Sequence, residues 1–470
     1  MTTFEARLAK LEALVERQAS VIERQAAIIV EKDAQIARLT RRVEDLERRL
    51  GERDGGGDEP PKSGEGKPRE PSGRKPGAQP GHKGHQRKMV SPDKVTRTEE
   101  CFPDACRGCG AALTQTADAS PVRHQVVEIP ALSPDVTEFR LHRVHCSCGM
   151  TTCGSLPAGT PRGMMGPRLV AFIALLSANC HVSRRKVQQL LSDVLGVDIA
   201  LGTLSESEAL ATAAVDVPVR EALQHALAAP VKHADGTTWY RHHAFRALWV
   251  LATKGVTVFT TFESGTKAAL SRWLGNHGIL VSDRGTQLGF WSMRRRQICW
   301  AHLLRKFAWY AAQDVEAANI GRALLTYARH VLHEWHRARD GHITRGTAAR
   351  NTAPARDVIE LLLRSGRQVP SIAGSCSHIL EHSDALWTFL ARDGVEPTNN
   401  HAERELRGFV LWRKTTLGSH SARGDEFAAA LKSIIQTCRK QGRHVWNYLS
   451  AAIQAHIAGR SAPRLVTLSP

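Results

Sequence analysis

The sequence is poor in acidic residues, in cysteine and in long apolar runs, and each shortage excludes a class of protein. Its 46 acidic residues face 64 lysines and arginines, which leaves a formal net charge of +18. A chain this basic usually binds a polyanion such as nucleic acid. No apolar run is long enough to span a bilayer and the N-terminus has no signal-peptide pattern, so we expect no membrane partner and a cytoplasmic location. Ten cysteines, partly clustered, indicate a reducing compartment with a metal site and not a disulfide framework.

Residues 1–50 carry a heptad repeat. Apolar residues recur at every seventh position from Leu8 to Leu50, and a second seam three positions further on contains several leucines. Such a pattern favours a parallel dimer, in which polar residues of the second seam specify the register. We therefore predict a coiled coil that joins the chain into a homodimer or a higher oligomer. A lone amphipathic helix packed on its own protein is the alternative.

Residues 51–95 form a basic linker rich in glycine and proline. Its composition is too polar to offset the entropy of ordering by burial. Within it, the run 73–85 alternates glycine and proline with basic residues, and we expect Arg74, Lys75 and Lys83 to contact DNA phosphates or a minor groove. A solvated tether with incidental charge is the alternative.

Residues 96–160 are rich in cysteine. Cys106 and Cys109 have the spacing of a zinc knuckle, and Cys146 and Cys148 follow a strand-like alternation. Four thiolates on two knuckles suit Zn²⁺, so we predict a small β module with a structural zinc. Unligated reduced thiols are the alternative. Three further residues could replace a ligand: Cys101, His145 and Cys153.

Residues 161–229 show helical periodicity. The segment 184–204 combines a helix, a turn at Gly196 and a second helix that opens near Thr203. This arrangement predicts a helix-turn-helix that could bind DNA, although plain helix packing produces the same spacing.

From residue 230 to residue 310 the periodicity is extended and then mixed. The predicted elements are strands at 231–235, 247–253 and 256–262, a helix at 265–276, and strands at 279–283 and 297–300. This order is that of a ribonuclease-H-like core, whose first and fourth strands are neighbours. Asp235 and Asp283 end those two strands, so we expect their carboxylates to face each other. Either acid alone would be read as a turn residue or a helix cap.

A third acid, Glu403, lies just inside the start of a basic helix. Asn400 can cap that helix with Glu403 in the capping-box position, which is a structural role; a catalytic carboxylate is the other interpretation. Residues 311–395 read as a helical insertion, 396–455 as the C-terminal helices of the core, and 456–470 as a tail. Four basic residues that follow Glu403 are expected to hold a DNA backbone: Arg404, Arg407, Arg413 and Lys414.

These motifs resemble the transposases of the insertion-sequence 66 family of bacterial mobile elements. The resemblance rests on the arm at 73–84, the cysteine-rich segment, the run 299–307 (Cys-Trp-Ala-His-Leu-Leu-Arg-Lys-Phe) and the run 399–407 (Asn-Asn-His-Ala-Glu-Arg-Glu-Leu-Arg). It implies a multi-domain α+β and α/β protein with a ribonuclease-H-like catalytic core, associated with the bacterial nucleoid.

The resemblance further implies two-metal phosphoryl transfer on DNA. Asp235, Asp283 and Glu403 carry over as the catalytic acids; Asp235 would bridge two Mg²⁺ or Mn²⁺ ions and the other two would each hold one. The partners would be the terminal inverted repeats of the element, target DNA and accessory proteins of the same element. The chain departs from the family pattern after two of the acids, with Gly236 where the family usually has glutamate and Arg284 where it usually has glycine.

Two other functions fit parts of the sequence. A degenerate transposase that acts as a dimeric DNA-binding repressor fits the altered neighbours of the acids. A structure-specific nuclease fits the acids but does not explain the basic arm.

Overall fold

The computed structural model describes residues 89–466. The predicted coiled coil of residues 1–50 and the arm residues Arg74, Lys75 and Lys83 lie outside the described residues. Within the described part the chain divides into two units. The first unit comprises Pro230–Ala234 and Asn276–His401, and the second comprises residues 89–229, Asp235–Gly275 and residues 402–466.

The described residues form a mixed α/β structure with seven strands and thirteen α-helices. The strands are β1 (Arg143–His145), β2 (Thr151–Cys153), β3 (Val231–Arg241), β4 (Ala244–Ala252), β5 (Thr257–Phe262), β6 (Ile279–Ser282) and β7 (Arg296–Ile298). The helices are α1 (Pro167–Ala178), α2 (Arg184–Leu195), α3 (Leu201–Ala228), α4 (Lys267–Leu274), α5 (Trp300–Tyr310), α6 (Val315–Arg339), α7 (Arg345–Asn351), α8 (Ala353–Gly366), α9 (Ala373–Leu380), α10 (Thr388–Ala391), α11 (Asn400–Thr416), α12 (Ala422–Lys440) and α13 (Val445–Ile457). No helix among residues 89–466 combines the length and apolar character that crossing a membrane requires.

Strands β3 to β7 form one mixed sheet in the order β5-β4-β3-β6-β7. β4 pairs with β5 in antiparallel fashion, whereas β3 with β6 and β6 with β7 are parallel. The predicted adjacency of the first and fourth strands of this sheet is therefore confirmed for β3 and β6. One prediction differs: β3 does not end at Asp235 but continues to Arg241, because the residues after Gly236 are threonines and aromatics that favour extended backbone.

The first unit buries one apolar core around α5 and the helices of the insertion. Trp300, Phe307 and Tyr310 of α5 pack with residues of α6 to α10. Helix α6 approaches the end of α5 at Gly321, where an added Cβ would lie 2.3 Å from the main-chain nitrogen of Ala311. The segment 311–395, predicted as helical, is occupied by α6 to α10.

The second unit joins the outer strands to helices. Trp239, Phe259 and Phe409 share a buried cluster that links β3, β5 and α11. The edge of β5 is covered by α12, since Ser433 Oγ accepts a hydrogen bond from the main-chain N–H of Phe259 at 2.8 Å. Thr437 Oγ1 likewise accepts from the N–H of Thr257 at 3.0 Å. Side-chain acceptors on α12 thus occupy part of an edge that another chain could otherwise pair with.

The segment predicted as a helix-turn-helix contains α2, a left-handed Gly196 and α3. Gly196 ends α2 with φ 62°, a left-handed conformation that glycine adopts readily because it has no Cβ. The second helix begins at Leu201, two residues earlier than expected. DNA recognition by this pair stays a prediction.

Candidate active site

Asp283 directly follows β6, and its loop is tied down by its own main chain. The N–H of Gly285 donates to Asp283 Oδ1 at 3.0 Å. Ser282 Oγ donates to the carbonyl oxygen of Asp283 at 2.9 Å. These two hydrogen bonds fix the main-chain conformation after β6 and the orientation of the Asp283 carboxylate.

A buried arginine organises the same loop. Arg296, at the start of β7 and fully buried, donates from Nη2 to the carbonyl of Asp283 at 2.7 Å and from Nε to Ser282 Oγ at 3.1 Å. It also donates from Nη1 to the carbonyl of Leu288 at 3.3 Å. Burial lowers the pKa of Arg296 to about 10, against the opposing effect of Asp283, so the group remains a cation at neutral pH. The sequence contained no signal for this role, because Arg296 is the third of three consecutive arginines.

Asn399 connects the segment before Glu403 to β3 and to Cys299, the residue that follows β7. Its side chain is fully buried, and Nδ2 donates to the carbonyl of Ala234 at 2.9 Å. Its Oδ1 lies 3.3 Å from His233 Nδ1, and its main-chain N–H donates to Cys299 Sγ at 3.1 Å. The ring of His233 also stacks on that of His401, with centroids 5.1 Å apart. The motif 399–407 was recognised in the sequence, but no role for Asn399 was foreseen.

Glu403 lies in the first turn of α11, where a carboxylate interacts favourably with the helix dipole. Asn400 is the first residue of α11. Because the assigned start of a helix is defined only to within one or two residues, its role as the cap stays a prediction.

Asp235 lies within β3 in the second unit, the same unit as Glu403, whereas Asp283 belongs to the first unit. The N–H of Gly236 donates to Asp235 Oδ1 at 2.9 Å. The indole of Trp249 lies against Gly236, where an added Cβ would be 2.6 Å from Trp249 Cε2. The family's usual glutamate therefore has no room at this position while Trp249 is present, which accounts for the departure in the sequence.

The basic residues after Glu403 are not equivalent. Arg404, Arg407 and Lys414 are exposed on α11. Arg413 instead donates from Nη1 to Thr237 Oγ1 at 3.2 Å and to the main-chain and side-chain oxygens of Thr238. Arg413 thus also anchors α11 to β3, an internal role that its place in a basic run did not indicate.

A buried carboxylate holds the far end of β3. Asp425 of α12 accepts from Trp239 Nε1 at 2.8 Å and from Arg241 Nε at 2.6 Å, and it also accepts from Ser419 Oγ. The hydrogen bond that Arg241 donates to Asp425 raises the pKa of Arg241. This network fixes the strand that carries Asp235.

Each cysteine pair lies in a turn of the second unit that is closed by a hydrogen bond to the carbonyl of its first cysteine. The N–H of Gly110 donates to the carbonyl of Cys106 at 2.8 Å, and the N–H of Gly149 donates to the carbonyl of Cys146 at 3.0 Å. The backbone N–H of Cys109 lowers the pKa of Cys106, and the backbone N–H of Cys148 lowers that of Cys146. Strands β1 and β2 flank the second turn as an antiparallel pair. The structure therefore brings each pair together; the joining of the two pairs stays a prediction.

One histidine-containing group within the first unit has the composition of a metal site. His378, Glu381 and His382 each have a ligand atom within 4.8 Å of the others. However, Arg284 Nη1 donates to His378 Nδ1 at 3.1 Å. Burial, followed by the charges of Arg296, His378 and Arg284, lowers the pKa of His382. Positive charge around the group disfavours a divalent cation, and the contact with His378 gives Arg284 a structural role in place of the family's usual glycine.

The sequence model of the transposase IS66 family matches residues 162–426, more than half of the chain. The chain belongs to this family. It is also 25% identical to the uncharacterized protein y4hP of Sinorhizobium fredii over 437 aligned residues, which cover 81% of this chain and 75% of that protein. A second protein of the same organism, the uncharacterized protein y4qI, is 26% identical over 184 residues, covering 37% of this chain and 33% of that protein. Membership of the family indicates a transposase and, with it, DNA as the partner.

Proposed function

We propose that this IS66 family member is a DNA transposase that cuts the ends of its element and joins them to target DNA with Asp235, Asp283 and Glu403. The observation that carries the proposal is the register of β3 with β6. His233 and Val281 are the last paired residues of the two strands, and each acid lies two residues beyond its own member of that pair. In parallel strands equal spacing from a paired position corresponds to neighbouring positions along the two strands, which supports the proposal.

The hydrogen bonds around each acid support the same conclusion. Asn399, four residues before Glu403, donates to Ala234, the residue before Asp235. Arg296 holds the carbonyl of Asp283. We infer that these two residues position the carboxylates, and that the strand order belongs to a ribonuclease-H-like core.

The donor set suits Mg²⁺ or Mn²⁺. Three carboxylates offer hard oxygen ligands, which these ions prefer and which suit Zn²⁺ poorly. When bound, two such ions would supply an activated nucleophile and stabilise the attacking and leaving oxygens. Asp235, Asp283 and Glu403 would hold the ions, and exposed Arg404, Arg407 and Lys414 would bind phosphates alongside.

The two cysteine turns support a separate, structural zinc. Each turn uses backbone N–H groups to favour the thiolate form, which is the form that binds zinc. We propose Cys106, Cys109, Cys146 and Cys148 as its ligands. We also propose that subunits pair through residues 1–50 and that accessory proteins of the element assist the reaction.

Cleavage of a labelled duplex that carries the parent element's end tests the catalytic proposal. Wild type, Glu403→Gln and Glu426→Gln would be compared with Mg²⁺ or Mn²⁺; Glu426 is an exposed glutamate of α12 and provides the matched loss of charge. We expect metal-dependent nicking in wild type and Glu426→Gln, and none in Glu403→Gln although it still binds the duplex. Binding without nicking in all three proteins would favour the repressor function over the transposase.

A further inference from the structure

A cavity of about 400 Å³ opens on the first unit beside α7, α8 and α10. Its volume lies within the range of small-molecule binding sites, about 300–1,000 Å³. Three arginines are among its lining residues, Arg294, Arg356 and Arg392, and Asp384 is the one acidic residue among them. The lining therefore carries three positive charges against one negative charge.

The three arginines are among those of the first unit that form no ion pair within the described residues. In the insertion, other arginines pair with carboxylates at 2.6–2.9 Å: Arg337 with Glu334, Arg339 with Asp340, Arg345 with Asp393 and Arg364 with Glu360. Among the ion pairs formed within residues 89–466, none involves Arg294, Arg356 or Arg392. Three like charges around a cavity with Asp384 as the one carboxylate of its lining repel each other, and an anionic ligand would relieve that repulsion.

One buried N–H group of Arg356 lacks a hydrogen-bond acceptor within the described residues. Its Nε is buried and has no hydrogen-bond partner within the described part of the chain, whereas Nη2 donates to the carbonyl of Ala349 at 3.3 Å. A buried donor without an acceptor costs free energy, which a ligand oxygen would recover. The guanidinium also lies 5.9 Å from the ring centroid of Trp387, so the cationic side of the cavity adjoins an aromatic one.

We propose that this cavity binds one nucleotide of a single DNA strand. The phosphate would accept hydrogen bonds from the three guanidinium groups, because arginine matches phosphate oxygens in charge and in geometry. The sugar or base would contact the apolar wall formed by Trp387 and Leu390. Arg294 and Arg392 are exposed at the rim, so a nucleotide still joined to its strand can enter from solvent. The choice of DNA as the molecule that supplies the phosphate rests on the proposed function. The inference that the cavity binds a phosphate does not depend on it.

The test compares two double variants that lose the same charge. Arg294→Gln/Arg392→Gln removes both rim groups of the cavity, and Arg295→Gln/Arg367→Gln removes two exposed arginines that do not line it. Binding of a labelled single-stranded oligonucleotide would be measured in EDTA, so that no cleavage occurs. We expect about tenfold weaker binding for the cavity variant, from the loss of charged hydrogen bonds, and at most a twofold change for the control. Equal weakening in both would overturn the proposal, because it would reflect net charge alone.

A second readout locates the contact directly. An oligonucleotide with 4-thiothymidine should crosslink to the peptide that contains Trp387, and unlabelled strand should compete better than free ATP. Crosslinks confined to other peptides would overturn the site, and competition by ATP alone would overturn the strand as its ligand. The proposed function is judged separately, since Glu403→Gln abolishes nicking whether or not the cavity variant binds DNA normally.

Discussion

The side-chain amide of Asn399 donates a hydrogen bond of 2.9 Å to the main-chain carbonyl of Ala234, across 165 residues of sequence. Both groups are buried, and the bond fixes the segment that leads into Glu403 against the strand that carries Asp235. In the proposed function this bond would act through geometry, because a small displacement of a carboxylate would change how it holds a metal.

Replacing Asn399 should therefore impair cleavage more than DNA binding. In Asn399→Ala the carbonyl of Ala234 is left buried without this donor, at a cost of about 1–3 kcal/mol. We expect a reduced cleavage rate at saturating DNA with a nearly unchanged Kd, together with a lower Tm. Asn276→Ala, at an exposed asparagine of the same unit, is the control. A parallel loss of binding and cleavage would contradict a positioning role.

Gly236 should not tolerate a side chain while Trp249 is present. An added Cβ at 2.6 Å from the indole forces a shift, and overpacking of this kind costs about 1–3 kcal/mol. Gly236→Ala should lower the Tm, whereas Gly374→Ala, at a helical glycine with open space around its Cβ, should not. The combination of Gly236→Ala with Trp249→Phe should recover part of the loss; strictly additive effects would show that the two residues are not coupled.

Asp425 and Glu263 both contact Arg241, but only one of them is buried. Asp425 has 1% of its side chain exposed and Glu263 has 71%. Asp425→Asn should cost about 3–5 kcal/mol in the free energy of unfolding, since it leaves Arg241 beside a neutral partner in a buried network. Glu263→Gln should cost no more than about 1 kcal/mol. Urea unfolding of the two variants measures the difference, and similar losses would contradict the ranking by burial.

Lys432 should make stability depend on pH above neutrality. It is buried beside His181, and burial, followed by the charge of Arg439, lowers its pKa to about 8. A pKa lowered by folding means that the unfolded chain binds more protons between about pH 8 and pH 10.5, so stability rises with pH across that window. Between pH 7 and pH 9.5 the gain should be about 2 kcal/mol. His181, whose pKa burial lowers to about 4, titrates below this range.

Urea unfolding at the two pH values checks this prediction. Lys432→Met keeps the length of the side chain and removes this titrating group, so its stability should rise by about 2 kcal/mol less than that of the wild type. Lys232, whose pKa burial also lowers to about 8, contributes to the rise in both proteins. Equal responses of wild type and variant to pH would show that folding leaves the pKa of Lys432 unchanged.

Local patterns were sufficient for the elements that carry the acids. Alternation and β-branched residues predicted β3 to β6 and the intervening helix, because side chains in a half-buried strand repeat with a period of two. The insertion was predicted as helical for the analogous reason. Boundaries were less accurate: β3, for example, passes beyond Asp235 to Arg241.

The amino-acid sequence by itself determined the family and the strands and helix that carry Asp235, Asp283 and Glu403, since each depends on residues close together in the chain. Only the tertiary structure decided which residues support them. That Arg296 holds the Asp283 loop, that Asn399 reaches Ala234 and that Trp249 excludes a side chain at position 236 all depend on contacts between separate elements. The grouping of three arginines around one cavity has the same origin. Such contacts are set by how elements pack, and packing brings together residues whose separation in sequence carries no periodic signal.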